Sequence, residues 1–275
     1  MSLSLKLPNV AGTFYDSDPL RLKKMLLEFL DGPPVLDKKK PRMLIAPHAG
    51  YIYSGPIAAS AYKLWAELGT KKQEVVILSP THYHHLSAIV SLDADAYQTP
   101  LGNIPLNKEL IAQLMSKGLI EIRPEIFEAE HALEVHLPFL QIIFNNFSII
   151  PLIVGQVDAA SVVRILETLD DGKRLFVVST DLSHFHSSEK ARRIDYDTAS
   201  FIEAYQSDQL KGDMACGFYP LRGLLDYARA HKMIVKKLDL RNSSDTAGNP
   251  DRVVGYGAFA LYSENDSQKT TASKV

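Results

Sequence analysis

Histidines that follow apolar segments are the residues of this sequence whose type and spacing could do chemistry. His48, His82 and His184 each lie shortly after an apolar run typical of a buried strand. In an open α/β sheet, ligands bind beyond the carboxyl ends of the strands, so these strands would bring three imidazoles to one edge. Imidazole is a common transition-metal ligand and the usual general base near neutral pH. One such histidine is usually a loop residue bonded to the backbone, but three together make a metal or acid–base site an equally good interpretation.

A fourth group of candidate residues is the segment EHALEVH at 130–136. It fits neither the His-Glu-x-x-His zinc motif nor its inverted form, because Val135 stands where a second histidine would be needed. On a helix, His131 and Glu134 would share a face and point to one site. The alternative is an acid-rich helix start that the helix dipole favours. The residues leave both interpretations open.

Three weaker features favour structural roles over chemical ones. Asp93 and Asp95 lack the rest of a calcium loop and are interpreted as solvated. The segment 50–55 precedes a helix and offers backbone N–H groups to an anion, but it has neither the Walker lysine nor the dinucleotide glycine spacing. Cys216 is interpreted as a buried structural cysteine, with a reactive thiol as the alternative.

Strand-like and helix-like segments alternate along the chain and would position these residues. The predicted strands are 43–45, 75–78, 148–154, 175–178, 234–240 and 253–262, with a smaller strand or hairpin within 89–104. The predicted helices are 19–30, 56–68, 107–115, 135–144, 159–169, 189–205 and 219–230. Such alternation predicts one α/β domain with a central, largely parallel sheet flanked by helices. We expect that domain to span 1–262, followed by a polar C-terminal tail at 263–275.

Composition narrows the class of protein further. The 275 residues are 46% hydrophobic, enough for one large domain, and their formal net charge of −2 argues against a nucleic-acid partner. The single cysteine excludes an intramolecular disulfide and any multi-cysteine metal site. No apolar run approaches the roughly 18 residues of a membrane span, and no signal peptide stands out. We therefore expect a cytoplasmic protein with no membrane partner.

Several motifs, in order along the chain, together resemble one known family. They are AGTFY (11–15), APHAGYIYSG (46–55), PTH (80–82), PLG (100–102), EHALEVHLPF (130–139), STDLSHF (179–185) and VVGY (253–256). They look like the Memo family, whose microbial members are known as the B component of the AmmeMemoRadiSam system. The likeness runs from about residue 8 to residue 262, and so many motifs are jointly far more specific than any one of them.

The resemblance implies a fold similar to class III extradiol dioxygenases and a non-haem Fe(II) site. Carried over to this sequence, His48 and His82 would be two metal ligands. The third ligand position falls on Asp245 or Thr246, where some eukaryotic relatives have a cysteine, and Asp245 is the chemically stronger ligand. Two histidines and one carboxylate leave open positions for oxygen and substrate. That set favours iron, although zinc or copper would also accept it.

The resemblance also assigns roles around the metal. His184, beside Asp181, would transfer protons as the acid–base histidine, and His131 would be a further catalytic residue of the same pocket. The remaining carried-over residues would line the substrate pocket, and they are Tyr51, Glu130 and His136.

The leading hypothesis is therefore a metal-dependent redox enzyme, dioxygenase-like, acting on an unidentified small-molecule substrate. One alternative is a zinc-dependent hydrolase or lyase that uses the same pocket to activate water. Another is a non-enzymatic module that binds a peptide or a phosphorylated side chain at the aromatic and histidine-rich loops. The resemblance to the microbial members of the Memo family also implies association with a radical-SAM pathway protein.

Overall fold

The computed structural model describes residues 3–32, 40–68 and 72–263. Its strands are β1 (Leu5–Lys6), β2 (Met43–Ala46), β3 (Gln73–Pro80), β4 (Ile89–Ser91), β5 (Ala96–Thr99), β6 (Gly102–Pro105), β7 (Glu121–Ile122), β8 (Phe147–Val154), β9 (Leu175–Ser179), β10 (His184–His186), β11 (Ile234–Asn242) and β12 (Val253–Tyr262). Its helices are α1 (Pro19–Leu30), α2 (Tyr51–Tyr62), α3 (Lys108–Ser116), α4 (Leu137–Ile143), α5 (Ala159–Leu169), α6 (Ser188–Glu203) and α7 (Phe218–Ala230).

The main sheet has a parallel centre and antiparallel margins. Its strand order is β10-β12-β2-β9-β3-β8-β4-β7, and β11 also pairs with β12. The central strands β2, β9, β3 and β8 are mutually parallel. Strand β12 is antiparallel to β2, and β4 is antiparallel to β8. This confirms the predicted α/β class, in which a mixed sheet with a parallel core is flanked by helices.

The central strands form where the sequence has continuous apolar runs. Every residue of β2, β8 and β9 is buried, as expected for strands that are covered on both faces. The flanking helices begin at side-chain caps where the sequence supplies an acidic or amide residue. Asp18 caps α1 by accepting two backbone N–H groups of the first turn, and Asp158 caps α5 by accepting that of Ser161.

A small second sheet lies beside the first and has the order β1-β5-β6. Strands β5 and β6 form the hairpin expected within 89–104, and β4 of that region joins the main sheet instead. Strands β1, β7 and β10 are absent from the sequence prediction. Each has only two or three residues, which is too short for a periodic pattern to show.

The segment 130–136 differs most from its helical interpretation. Glu130 to Leu133 form a loop, a single 3-10 turn spans Glu134–His136, and only then does α4 begin. Pro138 occupies the first turn of α4, where a proline is tolerated because that N–H has no intrahelical partner. His131 therefore lies on a loop and not on a helix face.

Helix α2 begins five residues earlier than predicted, with Pro56 inside it. The predicted tail falls at residues 264–275 outside the described part of the chain, apart from Ser263. Within the described ranges, no helix is both long and apolar enough to cross a membrane.

Candidate metal centre

Three imidazoles converge at the carboxyl edge of the parallel strands. One ring nitrogen each from His48, His82 and His131 lies within 4.8 Å of the other two. The His82 and His131 rings are stacked with centroids 4.8 Å apart, and the His48 ring meets them edge-on at 5.2 and 5.6 Å. Among the described residues, this is the one group of three or more histidine, cysteine or acidic side chains with such spacing.

The parallel sheet explains why two of these histidines meet. His48 stands two residues beyond the end of β2, and His82 stands two residues beyond the end of β3. Both strands pair in parallel with β9, so their carboxyl ends open on the same edge. Asp181 stands two residues beyond β9 itself and completes the row. The sequence predicted His48, His82 and His184 at this edge; the structure brings the first two together, whereas His184 begins β10 and lies outside the three-histidine group.

The Glu130 carboxylate positions both His82 and the loop that carries the third histidine, His131. This carboxylate is buried and accepts hydrogen bonds from the His82 backbone N–H (2.6 Å) and from His82 Nδ1 (2.9 Å). It also accepts the backbone N–H groups of His131 and Ala132, both at 2.9 Å. One side chain therefore fixes the His82 ring and the loop that carries His131. With Nδ1 bonded to Glu130, Nε2 is the ring nitrogen of His82 that is left for a ligand.

His48 is fully enclosed by polar partners. Its Nδ1 lies 2.6 Å from Ser179 Oγ, and its backbone N–H donates to Asp181 Oδ1 at 2.8 Å. On the other side of the ring, Nε2 lies 3.4 Å from Cys216 Sγ and 4.0 Å from Asp181 Oδ2. Cys216 is thus a neighbour of the cluster, which its position in the sequence did not reveal, because it lies 168 residues from His48 along the chain.

Burial keeps most of these groups uncharged at neutral pH. Burial, reinforced by the neighbouring histidines, lowers the pKa of His48 well below its usual value. Burial also lowers the pKa of His131 to about 4, although Glu130 opposes the shift. For His82, burial acts in the same direction, but the hydrogen bond and charge of Glu130 outweigh it and raise the pKa. Since His48 is neutral, its 4.0 Å contact with Asp181 is not an ion pair.

Asp181 and His184 are the two predicted proton-transfer residues, and both lie near the cluster. Burial raises the pKa of Asp181 to about 7, against the backbone hydrogen bond from His48. His184 begins β10 and is partly buried, and burial lowers its pKa. His184 is the last and smallest of the neighbouring histidines that, together with burial, lower the pKa of His48.

A cavity of about 460 Å³ opens beside the cluster, with His131 and Asp181 in its wall. Its aromatic lining comes from Phe14, Tyr53 and Tyr256, and Arg252 lies on its wall. The volume is that of a small-molecule site. The residues expected to line the pocket lie deeper: Tyr51, Glu130 and His136 are each at most 2% exposed, and the Tyr51 hydroxyl donates to the Val135 carbonyl.

Asp245 is not part of the three-histidine group. Its carboxylate accepts the Asn242 backbone N–H at 2.9 Å, in a capping box, and contacts Arg192 at 2.5 Å. At the alternative position, the Thr246 hydroxyl lies within hydrogen-bond distance of two carbonyl oxygens, that of Tyr53 at 2.9 Å and that of Ser243 at 3.1 Å. The structure therefore gives His131, and not Asp245 or Thr246, the position next to His48 and His82.

The donor set suits a divalent transition metal. A metal-binding histidine must be neutral, as His48 and His131 are, and usually has its other ring nitrogen bonded to a fixed partner, as His48 and His82 do. The Nδ1 atom of His131 is buried with no hydrogen-bond partner within the described chain, so it also remains available to a metal. The ligand nitrogens lie at most 4.8 Å from one another, and zinc–nitrogen bonds of about 2.0–2.1 Å would require the imidazoles to move closer together.

The fold and the site together define an α/β protein with a candidate metal centre at the carboxyl edge of its parallel strands. Residues 6–260 match the family model described as Memo-like protein. The chain belongs to the Memo family, which confirms the family predicted from the motifs.

Relatives from archaea match the chain over nearly its full length. A MEMO1 family protein of Saccharolobus solfataricus is 33% identical over 279 residues, covering 91% of this chain and 97% of the relative. One from Sulfolobus acidocaldarius is 34% identical over 281 residues, covering 92% and 97%. One from Saccharolobus islandicus is 31% identical over 277 residues, covering 91% and 97%.

Proposed function

We propose that His48, His82 and His131 hold a divalent transition metal, and that this centre carries out a dioxygenase-like redox reaction on a small substrate. The observation that supports metal binding best is the convergence of three imidazoles, two of which have Nδ1 bonded to a buried partner. Pre-positioned neutral imidazoles are the arrangement that metal ligands need. The redox reaction and the choice of iron rest on the family resemblance.

The surrounding residues have roles that follow from their positions. The 460 Å³ cavity would hold the substrate against Phe14, Tyr53 and Tyr256, with its reacting end towards His131. Asp181, in the cavity wall and 4.0 Å from His48 Nε2, would take up or return the proton of a substrate hydroxyl. His184 would exchange that proton with solvent. A bound iron would supply the electron transfer between substrate and dioxygen.

A zinc-dependent hydrolase is the second candidate, and the donor set itself favours it. Three histidines without a carboxylate are a known ligand set of catalytic zinc, which lowers the pKa of bound water to about 7. In that case Asp181 would accept a proton from water and the same cavity would hold the substrate. A radical-SAM pathway protein remains a proposed partner on the resemblance alone.

Metal analysis of matched variants tests the ligand set. The chain would be purified anaerobically without a histidine tag, and its metal content measured by plasma mass spectrometry. We expect about one iron per chain in the wild type and in Asp245→Ala, and loss of metal in His48→Ala and in His131→Ala. Thermal unfolding of each variant separates loss of a ligand from loss of fold.

The other outcomes are equally informative. Loss of metal in Asp245→Ala with retention in His131→Ala would overturn the three-histidine set. Zinc in place of iron would move the hydrolase to first place, and dioxygen uptake with catechol-like compounds would then be absent. A wild type without any metal would overturn both metal-dependent functions and leave a peptide-binding module.

A further inference from the structure

A buried chain of hydrogen bonds ends on His48. The Tyr62 hydroxyl lies 2.8 Å from His136 Nδ1, and His136 Nε2 lies 2.7 Å from Ser179 Oγ. The same Ser179 Oγ lies 2.6 Å from His48 Nδ1 and 2.8 Å from the Ala132 carbonyl oxygen. Tyr62, His136, Ser179 and His48 are all at most 1% exposed, so solvent does not supply alternative partners.

The position of each proton in this series of hydrogen bonds can be assigned by counting donors and acceptors. A serine hydroxyl has one hydrogen to donate and two lone pairs that accept, and Ser179 makes three contacts. The Ala132 carbonyl can only accept, so the one hydroxyl hydrogen of Ser179 must point to it. Both histidine contacts must then be donated by the rings, from His48 Nδ1–H and from His136 Nε2–H.

The assignment is consistent along its whole length. With its proton on Nε2, a neutral His136 has a lone pair on Nδ1, which accepts the Tyr62 hydroxyl hydrogen. Burial lowers the pKa of His136 to about 3 and raises that of Tyr62, so neither group departs from these protonation states at neutral pH. At the other end, a neutral His48 with its proton on Nδ1 has its lone pair on Nε2.

We propose that Ser179 is a positioning residue that fixes His48 in the Nδ1–H tautomer and so keeps the Nε2 lone pair free for a metal ion. The inference rests on the proposed function insofar as His48 is a ligand. Without Ser179, Cys216 Sγ, which lies 3.4 Å from Nε2, would accept a hydrogen from that nitrogen, and the Asp181 carboxylate at 4.0 Å would favour the same tautomer. The Nε2–H tautomer would then occupy the lone pair that the metal needs.

The tautomer can be measured without any metal. Long-range ¹⁵N–¹H correlation spectra of the metal-free, ¹⁵N-histidine-labelled chain at neutral pH distinguish Nδ1–H from Nε2–H rings, with His48→Gln and His136→Gln used to assign the peaks. We expect His48 as Nδ1–H and His136 as Nε2–H in the wild type. The reverse tautomer at either ring would overturn the proposal even if Ser179→Ala does not fold.

A serine of the neighbouring strand offers a matched control. Ser79 is the second-last residue of β3, as Ser179 is the last residue of β9, and the two are equally buried. The Oγ atom of Ser79 has no hydrogen-bond partner within the described residues. We expect Ser179→Ala to populate the Nε2–H tautomer of His48 and to weaken Zn²⁺ binding by about 10–100-fold in competition with a chelator. We expect Ser79→Ala to change neither.

Failure of this inference can be told apart from failure of the proposed function. An unchanged His48 tautomer in a folded Ser179→Ala chain would overturn the role of Ser179, whether or not the chain binds metal. Equal loss of Zn²⁺ affinity in both serine variants would also overturn it, because the loss would then reflect general damage to the strands. Absence of metal binding by the wild type would instead overturn the proposed function and leave the tautomer result standing.

Discussion

At the scale of single residues, the site depends on a buried carboxylate that would not itself bind the metal. Glu130 is 2% exposed and receives N–H donors from His82, His131 and Ala132. Burial raises the pKa of Glu130, but its hydrogen bonds with His82 and with backbone N–H groups outweigh burial and lower it. The negative charge is therefore retained where it orients two imidazoles.

Replacing Glu130 by glutamine tests this arrangement. Glutamine has one acceptor oxygen instead of two, so some of the N–H groups of His82, His131 and Ala132 would lose their partner. We expect Glu130→Gln to weaken Zn²⁺ binding by about 10–100-fold and to lower the free energy of unfolding by about 1.5–3 kcal/mol. Zinc titration and urea unfolding measure the two effects.

Glu125→Gln is the control for that experiment. Glu125 lies five residues earlier in the same segment, is exposed, and pairs only with Arg123 in the described chain. We expect neither metal affinity nor stability to change. An equal effect of the two substitutions would show that Glu130 has no special role.

At the scale of secondary structure elements, the start of α7 lies directly against the end of β9. A Cβ added at Gly217 would lie 2.7 Å from Thr180 Cβ and closer still to the Ser179 carbonyl oxygen. The Gly217 backbone N–H donates to the Thr180 hydroxyl at 2.9 Å. This close approach holds Cys216 beside His48.

Gly217→Ala should therefore displace the helix from the site. The contacts are with backbone and with a β-branched side chain, so neither can move aside easily, and overpacking of this kind costs about 1–3 kcal/mol. We expect that loss in chemical unfolding, together with weaker Zn²⁺ binding. Gly212→Ala, whose Cβ would meet the Phe218 ring at 3.2 Å, should have a smaller effect on stability and none on metal binding.

The elements and the site were predictable from the sequence to different degrees. Helices 19–30 and 159–169 have the predicted bounds. In each, a capping aspartate marks the start, and a periodic apolar face marks how far the helix extends. The convergence of His48 and His82 followed from parallel strands with continuous apolar runs. The resemblance placed His131 in the same pocket, but its position in the three-histidine group depends on the long-range hydrogen bonds between His82 and Glu130, which leave no local pattern. Counting along the motif favoured Asp245, which instead closes a local capping box.

At the scale of the whole molecule, buried ionisable groups make stability depend on pH in opposing directions. Burial raises the pKa of Asp195 on α6 to about 6, against hydrogen bonds from Ser183. Burial lowers the pKa of His136 to about 3. The contribution of His136 to folding stability is present above the pKa that this histidine has in the unfolded chain, and it is lost as the pH falls towards 3. The contribution of Asp195 to folding stability is present below the pKa that this carboxyl has in the unfolded chain, and it is lost as the pH rises through 6.

Asp195→Asn isolates the second contribution. Below pH 3.8 both side chains are neutral, so wild type and variant should differ little in the pH dependence of unfolding. As the pH rises to about 6, the wild type alone must bury a charge, and we expect the variant to gain up to about 3 kcal/mol relative to it. Urea unfolding from pH 3.5 to 7.5 measures the difference, and a constant offset across that range would contradict the assignment.

The order of strands in the sheet has a consequence for how the protein is made. His48 leaves the ribosome early, but its neighbour Cys216 follows 168 residues later, and β12, which pairs with β2, later still. At a synthesis rate of roughly 5–20 residues per second, that interval lasts about 10–30 s. During this time His48 lacks its neighbour Cys216, and β2 lacks its antiparallel partner β12. The candidate metal pocket is therefore complete only after β12 has been made, so an ion would enter a chain that already includes this strand.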